Sequence, residues 1–402
     1  MKIKKSLLLA SLIPLVGLQV TAQAAPLVSI GDSVDVFFNG SSSLQWESNI
    51  FNDEENQVDD LKFSVSPGFE VNIGRGLSNL DLSIITRYEI VRFNEVSDLD
   101  NQLFHIKAVS SYAGSRWNVN GLVSYDESQS NGPDGNDNQK GQLSSSENIN
   151  ANVNGDYTLS PKFSVGAGVN YTKRIYDDDG QADRDSFTIP LDVFYELTPK
   201  VDLSIGYTYT TSEVLGTESG TAEQSSYDKD QHFLNVGARG DLLPKLTGGF
   251  KIGYNTMDSD DPSTRDGNGV EAKSNRDSSS SLGVDANFTY LATAKVTTSL
   301  TLNRDFDIAG QGESTEASRA NLSASYSINT RYSATANFGY TLREYVDTGR
   351  EDDNYRTGLS LSYVPNEYWR FSTGYNYTEN NSSESGQSYK AHTVDVSASL
   401  RY

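Results

Sequence analysis

From about Ser33 to the end of this chain, apolar and polar side chains alternate with few interruptions. In Val201–Tyr209 every odd position is apolar or aromatic and every even one is small or polar. Phe163–Tyr171, Leu246–Tyr254, Tyr332–Tyr340, Tyr355–Tyr363 and Trp369–Tyr377 follow the same rule. Side chains of an extended strand point to opposite faces in turn, so each stretch predicts a β-strand with one apolar and one polar face. Near the start, Val34, Val36 and Phe38 share a face, and so do Leu61, Phe63, Val65, Phe69, Val71 and Ile73. The pattern runs to the last residue. Val394, Val396, Ala398, Leu400 and Tyr402 point one way, and Asp395, Ser397, Ser399 and Arg401 the other.

The connections are of two kinds. Tyr157-Thr-Leu-Ser-Pro-Lys162, Tyr195-Glu-Leu-Thr-Pro-Lys200 and Asp241-Leu-Leu-Pro-Lys245 are versions of one short turn, and Tyr290–Lys295, Tyr326–Tyr332 and Tyr363–Trp369 stand where later versions belong. Between them lie longer stretches rich in Gly, Asn, Asp and Ser: Asn52–Asp60, Ser128–Gly141, Asp177–Asp183, Ser212–Ser226, Asp258–Arg276, Gly310–Thr315, Asp347–Asp353 and Asn380–Gly386. Counting between these marks gives about eighteen strands, and an even count sets both termini at the short-turn end. Many strands run about 11 to 15 residues, whereas strands of soluble proteins peak near 5 or 6. A soluble sandwich would bury the apolar faces between sheets, and the strand length argues against it. The expected fold is all-β: a transmembrane antiparallel up-and-down β-barrel, apolar faces to lipid, polar faces to a wet lumen. Its short turns are expected to be periplasmic and its longer acidic loops extracellular. Aromatic residues at one or both ends of the apolar faces fit the headgroup level on either side.

The first residues change the picture by giving a destination. Lys2, Lys4 and Lys5, the apolar run Leu7–Val20 and Ala22-Gln23-Ala24 form the three regions of a secretory signal peptide in order. The expected organisation is a signal peptide over 1–24 and a single barrel domain over 25–402, placed in the outer membrane after cleavage near Ala24. Later segments never approach the ~20 apolar residues of a membrane helix. With 54 acidic against 32 basic residues, the net charge of −22 excludes nucleic acid as a partner. The absence of cysteine excludes disulfides and thiolate metal sites. Outer-membrane lipid, lipopolysaccharide and the barrel-assembly machinery are the partners a barrel of this kind implies.

Charges on the polar faces are the candidate chemistry. Arg174, Asp192, Arg239, Lys251, Asp285, Arg343, Arg356 and Arg370 are expected to line the lumen, while Val394, Val396, Leu400 and Tyr402 mark the strand that closes the barrel. Arg239 and Lys251 flank the Leu242–Lys245 turn and so sit on neighbouring strands. Either they favour anions locally, or each is neutralised by a carboxylate such as Asp241 and braces the wall. His105, His232 and His392 each lie in a strand with no motif around them, and no phosphate loop, metal cluster or nucleophile elbow occurs, so no enzyme and no cofactor are expected. The runs Asp177–Asp179, Asp258–Asp261 and Glu351–Asp353 lack the spacing of a calcium loop and read as solvated loop charge.

Trp46-Glu-Ser-Asn-Ile-Phe51, Val58-Asp-Asp-Leu61, Ser66-Pro-Gly-Phe69, Ser97-Asp-Leu-Asp-Asn-Gln102 and the repeated Leu-Ser/Thr-Pro-Lys turns resemble the putative β-barrel porin 2 family. The resemblance spans essentially the whole mature chain. It implies a Gram-negative outer-membrane protein, and for some members an association with exopolysaccharide production and its export complex. Three readings follow: a porin-like channel for small solutes or a conduit for exopolysaccharide, a non-conducting structural or adhesive surface barrel, and, on the weakest grounds, an outer-membrane enzyme. A barrel of ~16 to 18 strands leaves an aqueous channel unless something plugs it, which favours the pore.

Overall fold

The computed structural model describes residues 25–74, 78–130, 143–177, 181–215, 218–219, 222–223, 226–260, 277–310, 312–346 and 348–402. The leader at 1–24, the acidic residues Asp178 and Asp179 and most of the 258–276 connection lie outside them. In chain order the strands are β1 (Val28–Ile30), β2 (Val34–Glu47), β3 (Asp60–Ile73), β4 (Leu80–Phe93), β5 (Asn101–Ala113), β6 (Trp117–Ser130) and β7 (Ser144–Thr158). There follow β8 (Phe163–Tyr176), β9 (Arg184–Thr198), β10 (Val201–Val214), β11 (Glu218–Ser219), β12 (Ala222–Glu223), β13 (Tyr227–Leu243) and β14 (Leu246–Ser259). The last are β15 (Asp277–Leu291), β16 (Val296–Ile308), β17 (Ser314–Ser327), β18 (Tyr332–Tyr345), β19 (Glu351–Tyr363), β20 (Trp369–Ser382) and β21 (Tyr389–Arg401).

Eighteen long strands, each antiparallel to its neighbours, close into one barrel. Closure is made by β21 on β2, in register from Asn39↔Arg401 to Glu47↔Thr393. Phe38 and Tyr402 exchange both backbone hydrogen bonds just beyond, at 2.5 and 2.9 Å. The remaining edge of β2 would be bare, and β1 covers it, with Val28 opposite Val36 and Ile30 opposite Val34. An unpaired edge in hydrocarbon would leave backbone groups without partners, so the short lead strand completes what the closing strand does not reach. β11 and β12 form a separate small hairpin in one long connection.

The two faces part as the alternation demands. Val396, Ile205, Leu234, Tyr254 and Leu359 are all more than half exposed on the outer surface, where lipid is their solvent. Aromatic residues sit eight positions apart on the outer face of strand after strand: Trp117 and Tyr125, Phe187 and Tyr195, Tyr332 and Tyr340, Trp369 and Tyr377. Eight residues span about 27 Å along a strand, and a tilt of about 40° reduces that to about 20 Å of height, close to the apolar band of an outer-membrane barrel. Cross-strand contacts tie the short-turn belt together, as in Trp117–Tyr157 at 4.3 Å and Tyr332–Tyr363 at 4.6 Å between ring centroids. The turns at this end are tight. Between β13 and β14 only Pro244 and Lys245 intervene, with a register shift at Asp241/Leu243 and Lys245 at φ 69°.

Candidate functional site: the inner wall and the long-loop mouth

Residues on the inner face reveal themselves by touching across strands that are not neighbours, which only a concave surface allows. The Lys251 ammonium on β14 meets both oxygens of Asp192 on β9 at 2.8 Å, three strands away. The Arg239 guanidinium on β13 pairs with Asp156 on β7 at 3.1 Å and with Asp202 on β10 at 3.3 Å, and lies 3.4 Å from the centroid of the Phe194 ring. Asp285 is opposite Lys251 in the β14–β15 register. Arg239 and Lys251 thus face four carboxylates, from Asp156, Asp192, Asp202 and Asp285. Asp241, the carboxylate sequence reasoning pointed to, takes no part in these pairs. Phe194 and Asp156 carry no sequence signal of their role, since only the barrel's curvature brings them under Arg239.

The other predicted lining residues are spread around the wall. Arg174 donates to Asn148 Oδ1 at 2.6 Å. Arg343 lies opposite Asp352 and Arg356 opposite Gly339, both in the β18–β19 register. Arg370, on β20, lies opposite Ser399 nearer the short-turn end. Asp305, which sequence reasoning did not single out, is held by the Asn255 amide at 2.7 Å and by Gln231. Among the histidines, His105 contacts Glu89 at 3.6 Å and Asp126 at 3.2 Å. His232 and His392 pack on the outside against tyrosine rings, within hydrogen-bond distance of the Tyr207 and Tyr375 hydroxyls. No group of three or more metal-ligating side chains occurs among the described residues. Within Glu351–Asp353, Asp352 is gripped by Arg350 through two hydrogen bonds, at 2.6 and 2.9 Å.

A second feature was not foreseen. The connection between β16 and β17 is a tight turn, with Gly312 N donating to Ala309 O at 3.0 Å. The turn reaches over the long-loop mouth to the wall at β9 and β13, five and three strands away. There Ala182 N donates to Gly310 O at 2.9 Å, Arg184 to the carbonyls of Ile308 and Ala309, and Tyr227 Oη and Lys229 Nζ to Gly312 O at 2.5 and 2.7 Å. Four carbonyls of one turn accept from one wall. Gly312 has φ +93°, and a Cβ on it would come within 2.8 Å of Tyr227 Oη and 2.9 Å of Val214 Cγ1, so only glycine fits. Two glycines within three residues, Gly310 and Gly312, were the available hint. The contact buries Ala309, Ala182 and Val214 almost completely.

A third feature is a cavity of about 150 Å³ on the wall formed by β17 to β20. Its lining falls into register rows. Arg319, Thr341, Asn354 and Asn380 stand side by side across the four strands. Asn321, Gly339 and Arg356 form the adjoining row, and Arg343 and Asp352 begin the one beyond.

A closed barrel with an apolar belt, a charged inner wall and a turn across one mouth is an outer-membrane barrel of the porin and transporter kind. The sequence matches the putative beta-barrel porin 2 family over residues 41–402, and the chain belongs to that family. No curated protein matches it. Among solved structures it is similar to the ferric-catecholate import receptor Fiu of E. coli K12 (9% identity, 93% of this chain and 82% of that one, TM-score 0.46). It is also similar to the copper transporter OprC (10%, 92% and 81%, 0.48) and to the outer membrane protein opdK of Pseudomonas aeruginosa (9%, 92% and 99%, 0.43). At such identities the likeness is to barrels as a class, and the family assignment rests on the sequence match.

Proposed function

We propose that this protein is a channel for small hydrophilic solutes across the outer membrane, exported by cleavage near Ala24 and carrying out no catalysis. The observation that supports the reading best is the inner wall, where charged side chains from strands three and four apart meet in a polar interior. Such a wall is of little use to a barrel that only anchors a surface, because uncharged polar side chains would serve as well. The turn drawn across the long-loop mouth favours small solutes over a polymer conduit, since an extended polysaccharide would have to displace it. Short turns on the periplasmic side and long acidic loops outside complete the reading.

Conductance across planar lipid bilayers tests it. Purified, heat-modifiable protein is expected to give discrete steps in KCl, and liposomes containing it are expected to admit monosaccharides but not dextran. A folded preparation that gives no steps overturns the proposal.

A further inference from the structure

The cavity on β17 to β20 has the makings of a binding site, and three independent observations bear on it. The first is an orphaned donor. Asn354 is only 6% exposed, and its Nδ2 has no hydrogen-bond partner although it lines the cavity. A buried amide left without a partner is costly, so this group would gain from an acceptor seated in the recess. The second is charge. Three arginines, Arg319, Arg343 and Arg356, border the cavity against one carboxylate, Asp352. The acid is occupied by Arg350, and Arg319 by Asp307. Arg356 has no ion-pair or hydrogen-bond partner among the described residues, and it is exposed to the lumen. A net basic recess in so acidic a chain is a local reversal of sign.

The third observation is shape. Gly339 stands between Asn321 and Arg356 in the register, and a Cβ there would approach Asn321 Oδ1 to 2.9 Å. The absent side chain leaves room for the Asn321 amide to lean over the strand, with its Oδ1 close to where a Cβ would stand. A dry cavity of about 150 Å³ elsewhere is known to hold a benzene-sized molecule, which sets the scale of the occupant at one small ring or chain.

We propose that this recess binds a small hydroxylated carboxylate, of the size of a single sugar acid, on its way through the barrel. A guanidinium presents a planar fork that matches a carboxylate's two oxygens. Asn354 supplies a further donor, and Asn321 and Thr341 offer both donors and acceptors to neighbouring hydroxyls. A neutral sugar would leave Arg356 unanswered, and a recess of about 150 Å³ is too small for a polymer. The inference rests on the channel reading, yet its test reads separately.

The probe is sodium D-glucuronate, with D-glucose as the uncharged comparison, titrated calorimetrically into purified full-length protein in detergent. Glucuronate is expected to bind and glucose to bind at least about tenfold more weakly, the size expected for loss of a charge-assisted contact. Arg356→Gln is expected to weaken glucuronate about tenfold or more, with Arg356→Lys intermediate because it keeps the charge and loses the fork. Arg331→Gln, in a short turn far from the recess, is expected to change nothing. Equal affinity for the two sugars, or an Arg356→Gln protein that binds glucuronate like the parent, overturns the site. KCl conductance of the same preparations reports the channel by itself. Conducting protein that binds no glucuronate removes this inference and leaves the channel, and binding without conductance does the reverse.

Discussion

Arg401 reaches over a whole strand. From β21 it spans β2 to grip Glu70 on β3 through two hydrogen bonds, at 2.7 and 3.0 Å, and its guanidinium carbon lies 3.6 Å from the centroid of the Phe37 ring. Asn39 and Asn72 donate to the same carboxylate. The Glu70 side chain is 14% exposed and that of Arg401 31%, so the pair is partly screened by lumen water. Removing one partner leaves the other's partly buried charge without its counter-ion. Arg401→Gln is therefore expected to lower barrel stability by about 1–3 kcal/mol, measured as a shift in the urea midpoint of unfolding in detergent. Glu70→Gln should act in the same direction, and the double variant should fall short of the sum, because each change removes the same interaction. A full sum would mean the two residues act separately. This pair shows where sequence reading stops. The alternation sets Arg401 on the polar face, but no spacing joins residue 70 to residue 401. Arg239 makes the point again: its nearest acid in sequence is Asp241, yet curvature gives it Asp156.

Strands, by contrast, were largely legible one at a time. The alternation placed a strand at Leu61–Ile73, and β3 runs Asp60–Ile73. Val394–Tyr402 falls within and just past β21, with Val396 exposed on the lipid side. Period-two patterns are local, so they survive being read without the fold. The face assignment can be checked on the closing strand. Ala398 pairs with Ser42 and Phe371, and Ser399 with Ser41 and Arg370. Placing a charge on the lipid face at mid-bilayer costs about 2–4 kcal/mol in a barrel. Ala398→Arg should therefore impair assembly far more than Ser399→Arg, scored by heat-modifiable folded protein in membrane fractions. Comparable yields from the two would reverse the faces. The β16–β17 turn was not legible, because its role lies in a wall three to five strands away. Replacing Lys229 by Gln and Tyr227 by Phe removes two donors to Gly312 O. The double variant is expected to raise mean conductance and add flicker at the mouth, and unaltered single-channel records would show that the turn does not narrow the path.

At the scale of the whole molecule, the lead strand β1, the C-terminus and the short turns lie at one end, and the long connections at the other. Cysteines at Ser385 and at Lys200 should then react differently with a membrane-impermeant maleimide applied to intact cells, the first labelled and the second protected. Labelling at Lys200 alone would invert the barrel in its membrane. The seam gives a further consequence, for the order of events during assembly. Every other long-strand pairing joins segments adjacent in sequence, so it can form as the chain arrives. The β2–β21 ladder joins Asn39 to Arg401, and the entropy of closing so long a loop must be met before that ladder contributes anything. Closure is thus the last step and draws on the whole chain at once. Until it happens, Asn39–Glu47 of β2 and Thr393–Arg401 of β21 each present a free edge. A second molecule caught at that stage offers the same pair of edges, so two unfinished sheets can join end to end. Whatever holds the open sheet in the cell therefore has to shield the two edges from other copies until they find each other.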